Sequence, residues 1–171
     1  MIFGRDPLAN PEPLIRRVYA YCAYRLGDGA EAEDATSDTF ERALRYRSSF
    51  DSRRGTPAAW LIGIARRAVD DLLARRLTTL EELPEQEAPD HDLTLRLDLA
   101  HAVAQLDDRD RELVALRYGA DMTARQIAEL LGLRTNAVEV ALHRALNRLR
   151  TELIREEPAE ATRKLRPKLT P

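Results

Sequence analysis

Cysteine occurs once in the 171 residues, as Cys22. A single thiol excludes an intramolecular disulfide and any zinc site built on cysteine pairs. The three histidines, His91, His101 and His143, are too far apart to suggest a metal by spacing. Glycine is scarce, at 7 residues, and aromatics make up only 5%. An all-β fold, which draws on aromatic and β-branched strands and on turn glycines, is therefore not expected. No apolar run approaches the about 18 residues of a membrane span, so membrane insertion is not expected. The N-terminal Met1-Ile2-Phe3-Gly4-Arg5-Asp6-Pro7 lacks the apolar core of a secretion signal, and a cytoplasmic location follows by default. There is no glycine-rich phosphate loop and no nucleophile–base spacing. No cofactor and no enzymatic activity are expected.

What is present is charge, 33% of the chain, and apolar residues, 44%, dominated by the good helix formers alanine, leucine, arginine and glutamate. This composition predicts an all-α fold. The length suits one domain of average size or two small ones, not a large catalytic fold. The net charge of −2 would by itself argue against nucleic acid, but it is a cancellation. Residues 28–41 carry six acids (Asp28, Glu31, Glu33, Asp34, Asp38, Glu41) and no base. Residues 47–76 carry seven arginines against three aspartates, and 134–150 carry four against Glu139 alone. All but two of the 27 basic residues are arginine, the better residue for phosphate forks and base edges.

Apolar spacing is helical nearly throughout. Leu14, Val18, Cys22 and Leu26 recur every four residues and predict a helix over 11–26, broken by Gly27-Asp28-Gly29. A second helix is expected over 31–46, with Ala32, Ala35, Thr36, Thr39, Phe40, Ala43 and Leu44 facing inward. Residues 47–56 show no period and read as a loop. Thr56-Pro57 is a helix start, with threonine as cap and proline in the first turn. The helix it opens, to about 77, buries Leu61, Ile64, Ala65, Ala68, Leu72 and Leu73. The first domain thus spans 10–77. Residues 78–93 hold six acids, two prolines and no base, and read as an extended linker. The second domain spans 94–155, with helices near 95–106, 108–118, 124–131 and 135–154. Residues 156–171 read as a basic, disordered tail.

Residues 123–145 fit a helix-turn-helix better than an ordinary helical hairpin. Thr123 and Gln126 form a capping box, and Ala128 is small where two helices approach. Gly132 can adopt the left-handed conformation that ends the first helix. Leu133 fills the turn, Thr135 caps the second helix, and Val138 and Leu142 point into the core. Residues 135–150 then form a recognition helix with Arg134, Asn136, Glu139, Val140, His143, Arg144 and Arg148 outward. Asn136 and Arg144 can offer hydrogen bonds to base edges or phosphates. Glu139 can accept from a cytosine amino group or stand as a solvated residue. His143 can be structural, phosphate-facing or base-reading.

The stretch Ala32-Glu-Asp-Ala-Thr-Ser-Asp-Thr-Phe-Glu-Arg-Ala43 resembles region 2.2 of bacterial sigma factors. Residues 60–76 (WLIGIARRAVDDLLARR) are similar to regions 2.3–2.4, and 106–118 (LDDRDRELVALRY) with the helix-turn-helix resemble region 4. Two such domains and a short linker match the extracytoplasmic-function, or group 4, subfamily. Each motif is loose alone, but three in order, correctly spaced, are specific together.

The resemblance implies a factor that binds core RNA polymerase, through the β′ clamp helices and the β flap, and directs initiation at promoters with −10 and −35 elements. It assigns Asp34, Asp38, Phe40, Glu41 and Arg42 to polymerase docking, although Phe40 also suits the core. It assigns Phe50, Asp51, Ser52, Arg53, Arg54, Arg66, Arg67, Asp71, Arg75 and Arg76 to the −10 element. The chemistry there is capture of a flipped base and a basic track for the exposed strand. Trp60 suits a core anchor better than a stacking platform. Arg134, Thr135, Asn136, Glu139, Val140, His143, Arg144 and Arg148 are assigned to the −35 element. The acidic linker corresponds to a segment that threads the polymerase cleft, its carboxylates standing in for an RNA backbone; a plain tether explains it as well. An anti-sigma protein is implied as a further partner. Two departures stand out: Glu139 and Ala141 replace frequent basic residues, and Arg67 stands where asparagine is common. The competing reading is a sigma-like adaptor or helix-turn-helix regulator without initiation activity.

Overall fold

The computed structural model describes residues 6–79 and 99–164, with side chains for 6–76 and 99–154. All regular structure among them is helical, as expected. In chain order these are α1 (Pro11–Leu26), α2 (Ala30–Arg45), a 3₁₀ turn (Arg47–Ser49), α3 (Pro57–Thr79), α4 (99–104) and α5 (Asp108–Val114). A π-turn, Ala115–Gly119, continues α5, and α6 (Ala124–Leu131) and α7 (Thr135–Lys164) follow. The linker 78–93, beyond its first two residues, and the tail beyond Lys164 lie outside the described residues.

The local signals act where the sequence places them. The Thr56 hydroxyl accepts from the Ala59 amide at 3.2 Å, starting α3. Thr123 and Gln126 complete a reciprocal capping box on α6, with amide-to-side-chain bonds of 2.8 and 3.2 Å. Gly132 sits at φ +67°, the left-handed conformation that ends α6. The hydroxyls of the buried Thr36 and Thr39 bond back to the carbonyls of Ala32 and Ala35 at 2.7 and 2.6 Å, so α2 buries them satisfied.

Four details differ from the periodic reading. Leu44 is 58% exposed rather than inward, because the buried stripe of α2 runs through Ala32, Ala35, Thr36, Thr39 and Ala43 and passes it by. Leu133 is 40% exposed in the turn. The cap of α7 falls on Arg134, whose carbonyl takes the first helical bond, from Val138 at 3.1 Å, and Thr135 is the first helical residue. α7 also runs on to Lys164, through Pro158, where the tail reading put disorder; the residues after the proline, Ala159-Glu160-Ala161, are good helix formers.

The larger finding concerns the two halves of the chain. Helices α1–α3 pack on one another, yet one continuous core takes Val18, Tyr21, Cys22, Leu61, Ile62 and Val69 from them together with Leu113, Leu116, Met122, Ile127, Ala128 and Val138 from the second half. A second cluster (Ala102, Val103, Leu106, Val114, Ala145, Leu149) fixes α4 against α5 and α7. At the junction α1 lies on the π-turn so closely that a Cβ on Gly119 would stand 2.9 Å from the Ala20 carbonyl oxygen. Only glycine fits there.

Candidate nucleic-acid and polymerase interface

The recognition face of α7 is built as the helix-turn-helix pattern requires. Val138 and Leu142 are buried against α6, and Ala128 lies at the close approach. This packing turns Arg134, Thr135, Asn136, Glu139, Val140, His143 and Arg144 to solvent on the opposite side. The His143 ring lies 3.2 Å from the Asn147 amide group one turn on, within hydrogen-bonding reach. Arg148 is different. It bonds Asp107 at 3.3 Å and makes a closer pair with Asp110, which is almost fully buried on α5. Its charge neutralises that carboxylate and ties α7 to α5.

The −10 candidates separate in the same way. Phe50 packs edge-on against Trp60, centroids 5.6 Å apart, at the mouth of a cleft of ≈ 760 Å³ between the loop and α6. Asp51 accepts from the Arg53 amide at 3.0 Å and from its guanidinium at 3.1 Å. The Arg53 side chain, with its amide, holds the Asp51 carboxyl below the usual carboxylate range. Ser52, Arg53 and Arg54 are exposed on the loop, and Arg67 faces the cleft. Arg75 is exposed and bonds the Asp71 carbonyl at 3.2 Å. Three others are engaged inside the protein. Arg66 bonds Glu112 of α5 at 2.5 Å. Arg76 pairs with Glu31 and reaches the Leu26 carbonyl. Asp71 accepts from Arg42 at 2.9 Å.

On the docking helix, Asp34 and Glu41 are exposed and Phe40 is half-buried against the core. Arg42 is held between Asp38 at 2.7 Å and Asp71 at 2.9 Å, so it links α2 to α3. Leu44, one turn on from Glu41, and Tyr46 at the helix end are both more than half exposed, apolar surface that the charge pattern does not reveal.

Two arginines that the motifs overlook organise the second half. Arg25 is 2% exposed. It donates to the Asp108 carbonyl at 3.0 Å and carboxylate at 2.7 Å, with Asp70 at 3.8 Å. Its place three residues after Cys22, on the buried stripe, is the signal that could have found it. Arg111 satisfies the Val103, Ala104 and Leu106 carbonyls at the end of α4. Among the described residues no histidine, cysteine and carboxylate cluster could hold a metal, and no helix is long and apolar enough to cross a membrane.

Residues 12–78 match the family model of Sigma-70 region 2, and 96–149 that of Sigma-70, region 4. The ECF RNA polymerase sigma factor SigL of Mycobacterium tuberculosis is 30% identical over 146 residues, covering 80% of this chain and 82% of SigL. The chain belongs to the ECF sigma factors. It is a promoter-directing sigma factor of the sigma-70 family, with regions 2 and 4 in one chain. The ECF sigma factor BldN of Streptomyces coelicolor is 34% identical over 143 residues, 77% of this chain; the chain spans about half of BldN, 54%. The fold is that of the sigma factor RpoE of Bartonella quintana, seen with the anti-sigma factor NepR. The TM-score is 0.67 at 22% identity, covering 82% of this chain and 92% of that one. CnrH, seen with the cytosolic domain of CnrY, aligns with a TM-score of 0.60 at 25% identity, over 81% and 80% of the two chains.

Proposed function

We propose that this sigma factor binds core RNA polymerase through α2 and reads the two promoter elements with separate faces. The −10 face is the loop 50–54 with Arg67 and Arg75. The −35 face is Arg134, Thr135, Asn136, Glu139, Val140, His143 and Arg144. The observation that carries the reading is the exposed face of α7, held out by a capped, glycine-terminated helix-turn-helix in the same chain as an acidic helix with uncovered Glu41 and Leu44. The polymerase contact is Asp34, Glu41 and Leu44, with Asp38 and Arg42 positioning the helix and Phe40 seating it on the core. Arg66, Asp71, Arg76 and Arg148 act through the ion pairs they make rather than by first contact with DNA. The working units are 10–77 and 94–155, joined by 78–93.

On this reading the factor is not an enzyme. Energy for strand opening comes from binding within the holoenzyme, in the cytoplasm. The structural relatives seen with NepR and CnrY support an anti-sigma protein as regulator. The test is reconstitution with core polymerase on genomic DNA, followed by mapping of transcript starts. Specific starts preceded by a shared pair of elements are expected. Stable holoenzyme without specific starts would point to an adaptor, and no holoenzyme would refute the reading.

A further inference from the structure

The acids of the second half of the chain are nearly all tied to arginine. Asp107 and Asp110 pair with Arg148, Asp108 with Arg25, and Glu112 with Arg66. Asp121 pairs with Arg17 and Glu129 with Arg125, both at 3.0 Å. Glu152 is engaged as well. Among the described residues from 99 to 154, Glu139 alone is an acid with neither an ion pair nor a hydrogen bond. It stands exposed in the second turn of α7, beside the buried Val138 that fixes the orientation of the helix. Its neighbours one turn away along the helix are Thr135, Asn136, Leu142 and His143, none of them an arginine. The His143 ring is 3.2 Å from Asn147, not turned back to Glu139. Arg134 and Arg144 are exposed before and after it, and neither is paired with it.

A bare carboxylate at this place is unfavourable for general DNA binding. A recognition helix enters the major groove with its N-terminal residues on the base edges. The groove is walled by phosphates, which repel a negative side chain. Within it only the amino groups of cytosine and adenine donate hydrogen bonds. Guanine presents two acceptors, and adenine sets its N7 acceptor beside its amino group. The cytosine amino group has a carbon-bound hydrogen beside it, so a carboxylate meets no lone pair there. We propose that Glu139 determines specificity: it accepts from the amino group of one cytosine in the −35 element and rejects guanine at that position. Any other base leaves the charge unpaired between two rows of phosphates, so the repulsion itself does the discriminating. This inference rests on the −35 face assigned above and adds to it the base that is read.

The test uses holoenzyme of the full chain on a promoter library with a randomised −35 region, each member barcoded in its transcript. One position is expected to favour cytosine over every other base by about tenfold or more. Glu139→Gln should flatten that position to within about threefold and leave the preferences at the others. Glu139→Arg should move the preference there to guanine, whose two acceptors suit a guanidinium. Both substitutions are at an exposed side chain without partners, so the melting temperature should not change. A profile unchanged in both variants overturns the proposal, even where every promoter is bound more tightly. Specific transcription with no base preference in the randomised region overturns it together with the −35 assignment. Absence of specific transcription refutes the proposed function instead. Enrichment of bound duplexes from the same library by the full chain alone then decides Glu139 by the same comparison, and a chain that enriches no sequence overturns its role.

Discussion

Arg148 of the recognition helix and Asp110 of α5 form an ion pair in which the arginine is half exposed and the carboxylate is almost fully buried. The asymmetry decides what the arginine is for. Removing it leaves a charge stranded in the interior, whereas a phosphate would find the same guanidinium already engaged. Arg148→Ala should lower unfolding stability by about 1–3 kcal/mol, read as an earlier urea midpoint. An unchanged midpoint with weakened DNA binding would return Arg148 to the phosphate contacts.

Arg144 is the complementary case. It is exposed one turn earlier and no ion pair holds it among the described residues. Arg144→Ala should weaken binding to −35 duplex DNA and reduce the slope of log affinity against log salt by about one, with stability and polymerase binding intact. Equal loss of DNA and polymerase binding would count against a DNA contact.

The docking helix offers a cleaner variant than its charge pattern suggests. Asp38 is half of the clamp on Arg42, so altering it disturbs the α2–α3 link as well as any partner. Glu41 and Leu44 are exposed. Glu41→Lys with Leu44→Ala should reduce affinity for core polymerase by about tenfold, the worth of one leucine side chain withdrawn from an interface, without change in melting temperature. Unchanged affinity in a binding titration would make this face a solvated one.

Cys22 makes a chemical prediction. Burial pushes its thiol up to about 11 from an ordinary value near 9. At pH 8 its reaction with a thiol dye should be at least about 100-fold slower in the native protein than in urea. A folded-state value above the unfolded one means that the buried thiol is tolerated in full below pH 9. Its contribution to stability is lost as pH rises from there through about 11, because ionisation then favours the unfolded chain. Rapid native labelling at pH 8 would show that the α1–α3 core opens readily.

The helices and the helix-turn-helix are legible in the sequence because their signals are local. A capping box, a left-handed glycine and a period of three to four are read within a turn or two of the residues that cause them. The exposed face of α7 follows from the same period, since burying Val138 and Leu142 determines which neighbours face out. What escapes are pairings across long separations. Arg66, Arg76 and Arg148 look alike in a basic run, and only the fold brings each to its own carboxylate, Glu112, Glu31 and Asp110. Gly119 looks like a loop residue until α1 arrives against it. A linker rich in acid and proline suggested independence, and nothing local in the chain announces that Tyr21 and Leu116 share a core.

The π-turn at Ala115–Gly119 carries a last consequence. Its wide register, with the Ala120 amide reaching back five residues to the Ala115 carbonyl at 2.9 Å, inserts one residue more than an α-helix would use. Each inserted residue advances helical phase by about 100°. The stretch before the turn can thus present Asp110 to α7, while the turn's own last residue, Gly119, meets α1. The two packings are out of phase on a single rod, and the widened turn is the phase shifter that lets one helix serve both.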